Sequence, residues 1–514
     1  MQILSGALDV DYLQDASILE CICCRSAGYR PSRVSPDGGS AIAFEALVCE
    51  SCGNSVDIVE GVPFFGGYQP QDFPSLIEAT AVGNQAQNPI DIDLARRLNW
   101  LLSDYHQAVD KSHYIQNHSD DLVRAPWFSG HRYHEWILTS AILSGKELAG
   151  KAVLNVGADF GVDGIDLVDA GAQVTFLNSM PKVASLGKKT LPEARWIGGF
   201  VHSLPFRDDS FDIVLAKAVM RRLRPVPPAL REMLRVLKPG GFLLIIDEPI
   251  RPDHSDENLE FEVFNSHEGV LSGFNEGIIR FGDFYDTLAE FGDQIELALI
   301  ASVQDPSALQ GTSPVGDGAF NDYWVPCWPD NIEYLRNANG AGLCVAVKKV
   351  SSITLPAERQ SHYVLPAGVL ASWIGNPETA FARLMAWAPD ELVNLPFPGV
   401  KQDWFSLLNG WQRPEPSNDF RRGFQRARWL LRCPGSTKLA FSIRATLGVQ
   451  DIEVYINGTQ ECSASIDAEW RRIELDISDK AGALPFLVEL RLAGSLGGLS
   501  FEQRCFDVRD RLAI

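Results

Sequence analysis

Lys151-Ala-Val-Leu-Asn-Val-Gly157-Ala-Asp-Phe-Gly161-Val-Asp-Gly164 opens on an apolar run and closes on spaced glycines. An apolar run this short between turn signals fits a strand buried on both faces, and glycines directly after it let the backbone turn into a helix. That helix ends near Gly171, and residues 173–177 make the next apolar run. The pattern recurs at 211–216, and a helix over 228–237 leads through Lys238-Pro-Gly-Gly241 into a strand over 242–246. Short apolar runs alternating with helical stretches predict a parallel α/β sheet. Residues 295–301 and 342–348 can supply a closing antiparallel pair.

The glycines at 157, 161 and 164 do not form the dinucleotide fingerprint, because Asp159 occupies the position of its middle glycine. That glycine lets the backbone approach a pyrophosphate, and a carboxylate there repels one. The loop is therefore unsuited to NAD or FAD. It tolerates a cationic ligand without phosphate. S-adenosylmethionine, with its sulfonium and ammonium groups, meets that condition.

Four stretches follow one another between residues 153 and 241. They are Val153-Leu-Asn-Val-Gly-Ala-Asp-Phe-Gly161, Gly171-Ala-Gln-Val-Thr-Phe-Leu-Asn178, Ser203-Leu-Pro-Phe-Arg-Asp-Asp-Ser-Phe-Asp212, and Ala229-Leu-Arg-Glu-Met-Leu-Arg-Val-Leu-Lys-Pro-Gly-Gly241. Together they resemble the class I methyltransferases of the type-11 group. The resemblance implies a Rossmann-like, seven-stranded α/β sheet binding S-adenosylmethionine. By position it assigns the cofactor to Asn155, Gly157, Asp159, Gly161, Asn178, Ser179, Phe200, Val201 and Lys217.

Several of these positions depart from the family. It usually has an acidic residue where Asn155 stands and a glycine where Asp159 stands. It also has an acidic residue at Asn178, holding the ribose hydroxyls, and an aspartate at Phe200 that accepts from the adenine amino group. Arg221 and Arg222 replace the histidines often found after the fourth strand. Asn178 can still bond ribose, but as a neutral acceptor. Phe200 can stack on adenine instead of accepting a bond, and Asp159 can face the ammonium or sulfonium. Losing two charge-assisted bonds at ~1.5–3 kcal/mol each weakens affinity by more than about tenfold. The sequence thus also admits a degenerate methyltransferase fold acting as a scaffold or regulator in polysaccharide assembly.

Cys21-x-x-Cys24 and Cys49-x-x-Cys52 are two knuckles separated by 24 residues, and Cys23 is a spare thiol between the first pair. Four thiolates at this spacing can converge on one tetrahedral zinc. The surroundings, Ser17-Ile-Leu-Glu-Cys-Ile-Cys-Cys, Leu47-Val-Cys-Glu-Ser-Cys-Gly and Val56-Asp-Ile-Val-Glu-Gly-Val-Pro-Phe-Phe65, resemble the Trm112-like zinc ribbons. Such ribbons accompany methyltransferases as activating subunits or fused segments. Zinc held by Cys21, Cys24, Cys49 and Cys52 would be structural, since four thiolates leave no open position.

The 514 residues carry a net charge of −21. That balance argues against a nucleic-acid partner held by phosphate attraction. No apolar run approaches the ~20 residues of a membrane span. The first twenty residues hold three aspartates and no basic, then apolar, leader pattern, so a cytoplasmic location is expected.

The expected organisation is a ribbon over 1–70, a helical cap or linker over 71–147, the methyltransferase domain over 148–350, a linker over 351–400 and an all-β, jelly-roll-like sandwich over 401–514. Short period-two runs at 428–432, 438–446, 452–456, 470–477 and 487–492, with a turn at Asn457-Gly458, predict the sandwich. It could bind glycan through Trp411 and Arg421, or dock a protein partner or protomer. For chemistry, methyl transfer to oxygen needs positioning and a base. His267, Glu268 and Glu276 follow the strand that ends at Asp247-Glu248-Pro249 and are the candidates. The expected reaction is O-methylation of a small molecule or bacterial surface glycan.

Overall fold

The computed structural model describes residues 18–34, 44–65, 67–68, 147–158, 161, 164–223, 226–248, 250–251, 279–302, 324–325, 343–353, 355, 363–364, 411, 419–431, 436–479, 486–494 and 504–513. They fall into two compact units, one holding the described residues up to Val364 and the other those from Trp411 onward. The helical cap expected over 71–147 lies, apart from Glu147, outside the described residues.

The first unit starts with an antiparallel meander of β1 (Tyr29–Val34), β2 (Phe44–Cys49), β3 (Ser55–Val59) and β4 (Val62–Phe64). After the short β5 (Gly67–Tyr68) come β6 (Ala152–Val156), β7 (Gln173–Asn178), β8 (Arg195–Gly198), β9 (Phe211–Lys217) and β10 (Leu237–Glu248). β11 (Ile250–Arg251) and β12 (Ile279–Arg280) pair only with each other. β13 (Ile295–Ser302), β14 (Trp324–Val325) and β15 (Leu343–Lys349) complete the main sheet, and β16 (Tyr363–Val364) pairs with β5. The described helices are α1 (Ile165–Asp169), α2 (Pro181–Thr190), α3 (Val226–Val236) and α4 (Phe281–Ala289).

The main sheet runs β1-β2-β3-β4-β8-β7-β6-β9-β10-β15-β13-β14. β4 through β10 in that order are parallel, and β15 and β13 close the sheet antiparallel as expected. Among the described residues the sheet has twelve strands where the sequence predicted seven. Four come from the cysteine-bearing meander, which extends the sheet because β4 joins β8 in parallel at Phe64 and Gly198, and the fifth is β14, paired to β13. Gly198 makes the join possible, because a Cβ there would run into the Phe64 ring.

Strand alternation sorts the apolar residues onto two faces. Leu154, Val156, Leu177, Val214 and Leu243 join Leu230 and Met233 of α3 and Phe284 of α4 in one core. Val153, Phe176, Trp196, Ile213 and Leu244 join Ile165 of α1 and Ala184 of α2 in the other. Burying each large side chain contributes ~1.5–3 kcal/mol. Both faces are covered, which is why these strands read as unbroken apolar runs. The Lys238-Pro-Gly-Gly241 turn lies within β10, where the pairing with β9 shifts register between Leu237 and Phe242.

The second unit has eight strands among the described residues: β17 (Arg421–Gly423), β18 (Arg426–Leu431), β19 (Lys438–Ala445), β20 (Gln450–Ile456), β21 (Thr459–Ile466), β22 (Arg471–Asp476), β23 (Phe486–Leu492) and β24 (Phe506–Ala513). They form antiparallel sheets ordered β17-β24-β19-β22 and β18-β23-β20-β21, a jelly-roll connectivity. Asn457 and Gly458, with φ of 49° and 84°, turn β20 into β21 as the Asn-Gly pair predicts. Trp411 belongs to the core between the sheets: it is buried, donates from Nε1 to the Arg428 carbonyl at 2.7 Å and packs beside Trp429 and Phe506.

Candidate functional site

In an open α/β sheet a ligand crevice lies beyond the strand carboxyl ends, where the strand order reverses. Here the reversal falls between β6 and β9: β7 and β8 continue outward from β6, and β10 from β9. Gly157 stands at the end of β6 and Lys217 at the end of β9, both partly exposed. Gly157 has φ of 71° and donates its N–H to the Leu177 carbonyl at 2.9 Å, so the turn after β6 is tied to β7. A Cβ at Gly157 would lie 2.9 Å from the Cβ of Val219, closing the space between the two strand ends.

The other cofactor candidates gather around this edge with different exposures. Ser179 is partly exposed, whereas Asn155, Gly161, Asn178 and Val201 are buried. The Asn155 Nδ2 is enclosed without a hydrogen-bond partner. Asn178 Oδ1 accepts from the Met180 backbone N–H at 2.8 Å, so this acceptor is engaged locally. Phe200 is 1% exposed, with its ring edge-on to Phe64 at 6.0 Å between centroids. It presents no open face to a stacking partner, because the meander has filled the space beside it. Asp159, His267, Glu268 and Glu276 lie outside the described residues.

The sequence reading missed Glu248. It sits at the end of β10, wholly buried, and accepts backbone N–H bonds from Val219 and Met220 at 2.6 Å and Arg221 at 3.2 Å. Burial pushes its carboxyl up to about 8, against the pull of those amides and the Arg221 charge. A second carboxylate, after Asp247, at the end of a run of apolar residues was the available signal.

Behind the crevice, residues 204–207 are held from two sides. Glu232 accepts the Leu204 N–H at 3.1 Å, and Arg235 donates to the Leu204 and Phe206 carbonyls at 3.1 and 2.6 Å. Arg235 is itself buried and paired with Glu232 and Asp208. On the other side Glu20 donates its N–H to Pro205, and Arg207 donates to Ile18. Burial pushes the Glu20 carboxyl up to about 7, opposed by Arg235 and Arg25.

The four cysteine sulfurs of Cys21, Cys24, Cys49 and Cys52 lie within 4.8 Å of one another. Cys21–Cys52 and Cys24–Cys49 are each 3.6 Å apart, too far for a disulfide at ~2.05 Å. A tetrahedral zinc with Zn–S bonds of ~2.3 Å would need sulfur separations of ~3.8 Å, close to those found. The two knuckles repeat one backbone turn: Arg25 and Gly53 have φ of 63° and 74° and donate to the Cys21 and Cys49 carbonyls. Cys23 is exposed and outside the converging set.

In the second unit Trp411 and Arg421, named for a glycan contact, are both buried. Partly exposed rings among the described residues include Phe420, Tyr455 and Trp470, with Arg444 over Phe420 and Trp470, Arg509 over Trp470 and Arg491 over Tyr455.

Residues 154–245 match the type-11 methyltransferase-domain family, so this segment carries a methyltransferase domain. The demethylmenaquinone methyltransferase of Renibacterium salmoninarum is 38% identical over 98 residues, 19% of this chain and 41% of the relative. The ubiquinone/menaquinone biosynthesis C-methyltransferase UbiE of Shewanella sediminis is 30% identical over 130 residues, 24% of this chain and 51% of the relative. The chain thus spans about half the length, or less, of these relatives. Among solved structures, a Thermotoga maritima methyltransferase, a possible histamine N-methyltransferase, aligns at 19% identity over 46% of this chain and 99% of its own, with a TM-score of 0.31. The complex of the Haloferax volcanii Trm112 activator with a putative methyltransferase aligns at 18% identity over 43% and 91%, with a TM-score of 0.30.

Proposed function

We propose that this chain is an S-adenosylmethionine-dependent methyltransferase carrying a structural zinc at Cys21, Cys24, Cys49 and Cys52, and that it acts in the cytoplasm. The observation that carries the reading is the turn after β6: Gly157, at φ 71° and partly exposed, stands at the strand-order reversal inside the segment that matches the methyltransferase domain. When bound, S-adenosylmethionine supplies an electrophilic methyl group on a sulfonium. The chain's part is to hold the acceptor in line with that carbon, exclude water and receive the acceptor's proton. Gly157 leaves room at the crevice floor, Ser179 and Lys217 edge it, and His267, Glu268 and Glu276 are the candidate bases. The acceptor we favour is a hydroxyl of a small molecule or bacterial surface glycan. Arg444 and Arg509 beside Trp470 give the second unit groups suited to an acidic sugar.

A second reading, a catalytically degenerate scaffold in polysaccharide assembly, is favoured by two observations. Asn178 Oδ1 is engaged by the Met180 N–H, and Phe200 is closed off against Phe64. Calorimetric titration with S-adenosylmethionine and S-adenosylhomocysteine separates the two. Micromolar binding supports the enzyme; absence of heat at millimolar ligand, at two temperatures, supports the scaffold.

A further inference from the structure

β9 ends at Lys217, and the chain leaves the sheet through a left-handed residue, Ala218 at φ 54°. Val219 follows with right-handed angles, φ −117° and ψ −31°. Such a pair turns successive N–H groups toward one point and makes a nest for an anion. The nest is filled from within the chain. Glu248 Oε1 accepts from Val219 and Met220 at 2.6 Å, and Oε2 accepts from Arg221 at 3.2 Å. Ala218 donates its own N–H to the Ile246 carbonyl at 2.8 Å. Four successive amides are therefore tied to the last residues of β10.

A buried carboxyl group is an expensive way to fill space, since a buried polar group costs free energy unless it is hydrogen-bonded and apolar residues of similar volume carry no such cost. Here it does what an apolar side chain cannot: it satisfies three enclosed amides at once. The turn it fixes also touches the crevice, because Val219 packs over Gly157 so closely that any Cβ at Gly157 would collide with it.

We infer that Glu248 is a positioning residue for the cofactor crevice: it holds residues 218–221 so that Val219 roofs Gly157 and keeps the turn after β6 in shape to admit the ligand. The inference rests on the methyltransferase reading for the identity of that ligand. The raised pKa of Glu248 is consistent with its enclosure.

The test uses the full-length protein, Glu248→Gln and Val219→Ala, with S-adenosylhomocysteine titration and amide hydrogen exchange. Glutamine keeps one acceptor and turns an NH2 toward the Arg221 N–H. Exchange at Val219, Met220 and Arg221 should then speed by ~10-fold or more and affinity should fall ~10-fold. Val219→Ala should weaken binding several-fold while the three amides stay protected, a pattern that general destabilisation does not produce. Unchanged affinity in both variants overturns the inference. If Glu248→Gln does not fold, unchanged affinity in Val219→Ala overturns it alone. No binding by the unaltered protein overturns the methyltransferase reading and the cofactor half of the inference with it. In that case protected amides in Glu248→Gln overturn the clamp as well, and exposed ones uphold it.

Discussion

Replacing Phe64 by alanine tests whether the cysteine-bearing meander is part of the methyltransferase sheet. Phe64 is buried, lies over Gly198 and meets Phe200 edge-on at 6.0 Å. β4 has only three residues, and beyond Phe64 its link to β8 includes the Phe65 N–H to Gly198 carbonyl bond at 2.8 Å. Truncating a buried phenylalanine costs ~3–5 kcal/mol, because Gly198 offers no side chain to refill the cavity. For a cooperative unit of ~150–250 residues each kcal/mol shifts Tm by ~2–4 °C, so the loss is about 6–20 °C. Thermal unfolding followed by circular dichroism reads this directly, and the shift should fall on the main-sheet transition. A variant whose main transition moves by less than about 2 °C while a small separate step softens would refute the shared sheet.

Three other expectations follow from the same geometry. Purified protein should contain about one zinc per chain, and Cys49→Ser should lower Tm; metal-free protein of unchanged melting temperature would rule the metal out. Gly157→Arg should abolish cofactor binding, since the position has φ of 71° and its Cβ would strike Val219; unimpaired binding would place the ligand elsewhere. The Glu248 pKa stands near 8 in the folded chain against an ordinary 4.5, so the folded state holds the extra proton between those values. Its contribution is therefore complete below about pH 4.5 and is lost as pH rises toward about 8. Urea midpoints should fall over that window, and Glu248→Gln should flatten the slope; parallel slopes in both proteins would exclude it.

The α/β unit was legible because strands buried on both faces write themselves as apolar runs, as residues 152–156 and 242–246 do. The knuckle spacing likewise named Cys21, Cys24, Cys49 and Cys52, which the fold brings together. What spacing could not convey was the parallel join of β4 to β8, which depends on the absence of a side chain at Gly198. The same join closes Phe200, so the stacking role read from its position meets a filled space. In the second unit β21 was missed because the alternating residues that face the core, Cys462, Ala464 and Ile466, are mostly small and follow the polar Thr459-Gln-Glu; it is a largely exposed strand at one side of its sheet. Trp411 was read as a contact residue because sequence does not distinguish a surface tryptophan from one whose N–H is capped by the Arg428 carbonyl.

The cysteine knuckles and the crevice meet at residues 198–207. β4 borders Gly198, Leu19 bridges Phe206, and the Glu20 and Arg207 backbones bond across the seam. From the helix side, Glu232 and Arg235 grip Leu204 and Phe206, with Arg235 also within 3.5 Å of Glu20. Glu20 directly precedes a cysteine of the cluster, so its place at the seam depends on the first knuckle keeping its turn. If the knuckle opens, Arg235 loses the Glu20 carboxyl at 3.5 Å and keeps Glu232 and Asp208 at 2.9 and 2.8 Å. The cysteine cluster and the crevice at the strand-order reversal are thus linked by a few named bonds.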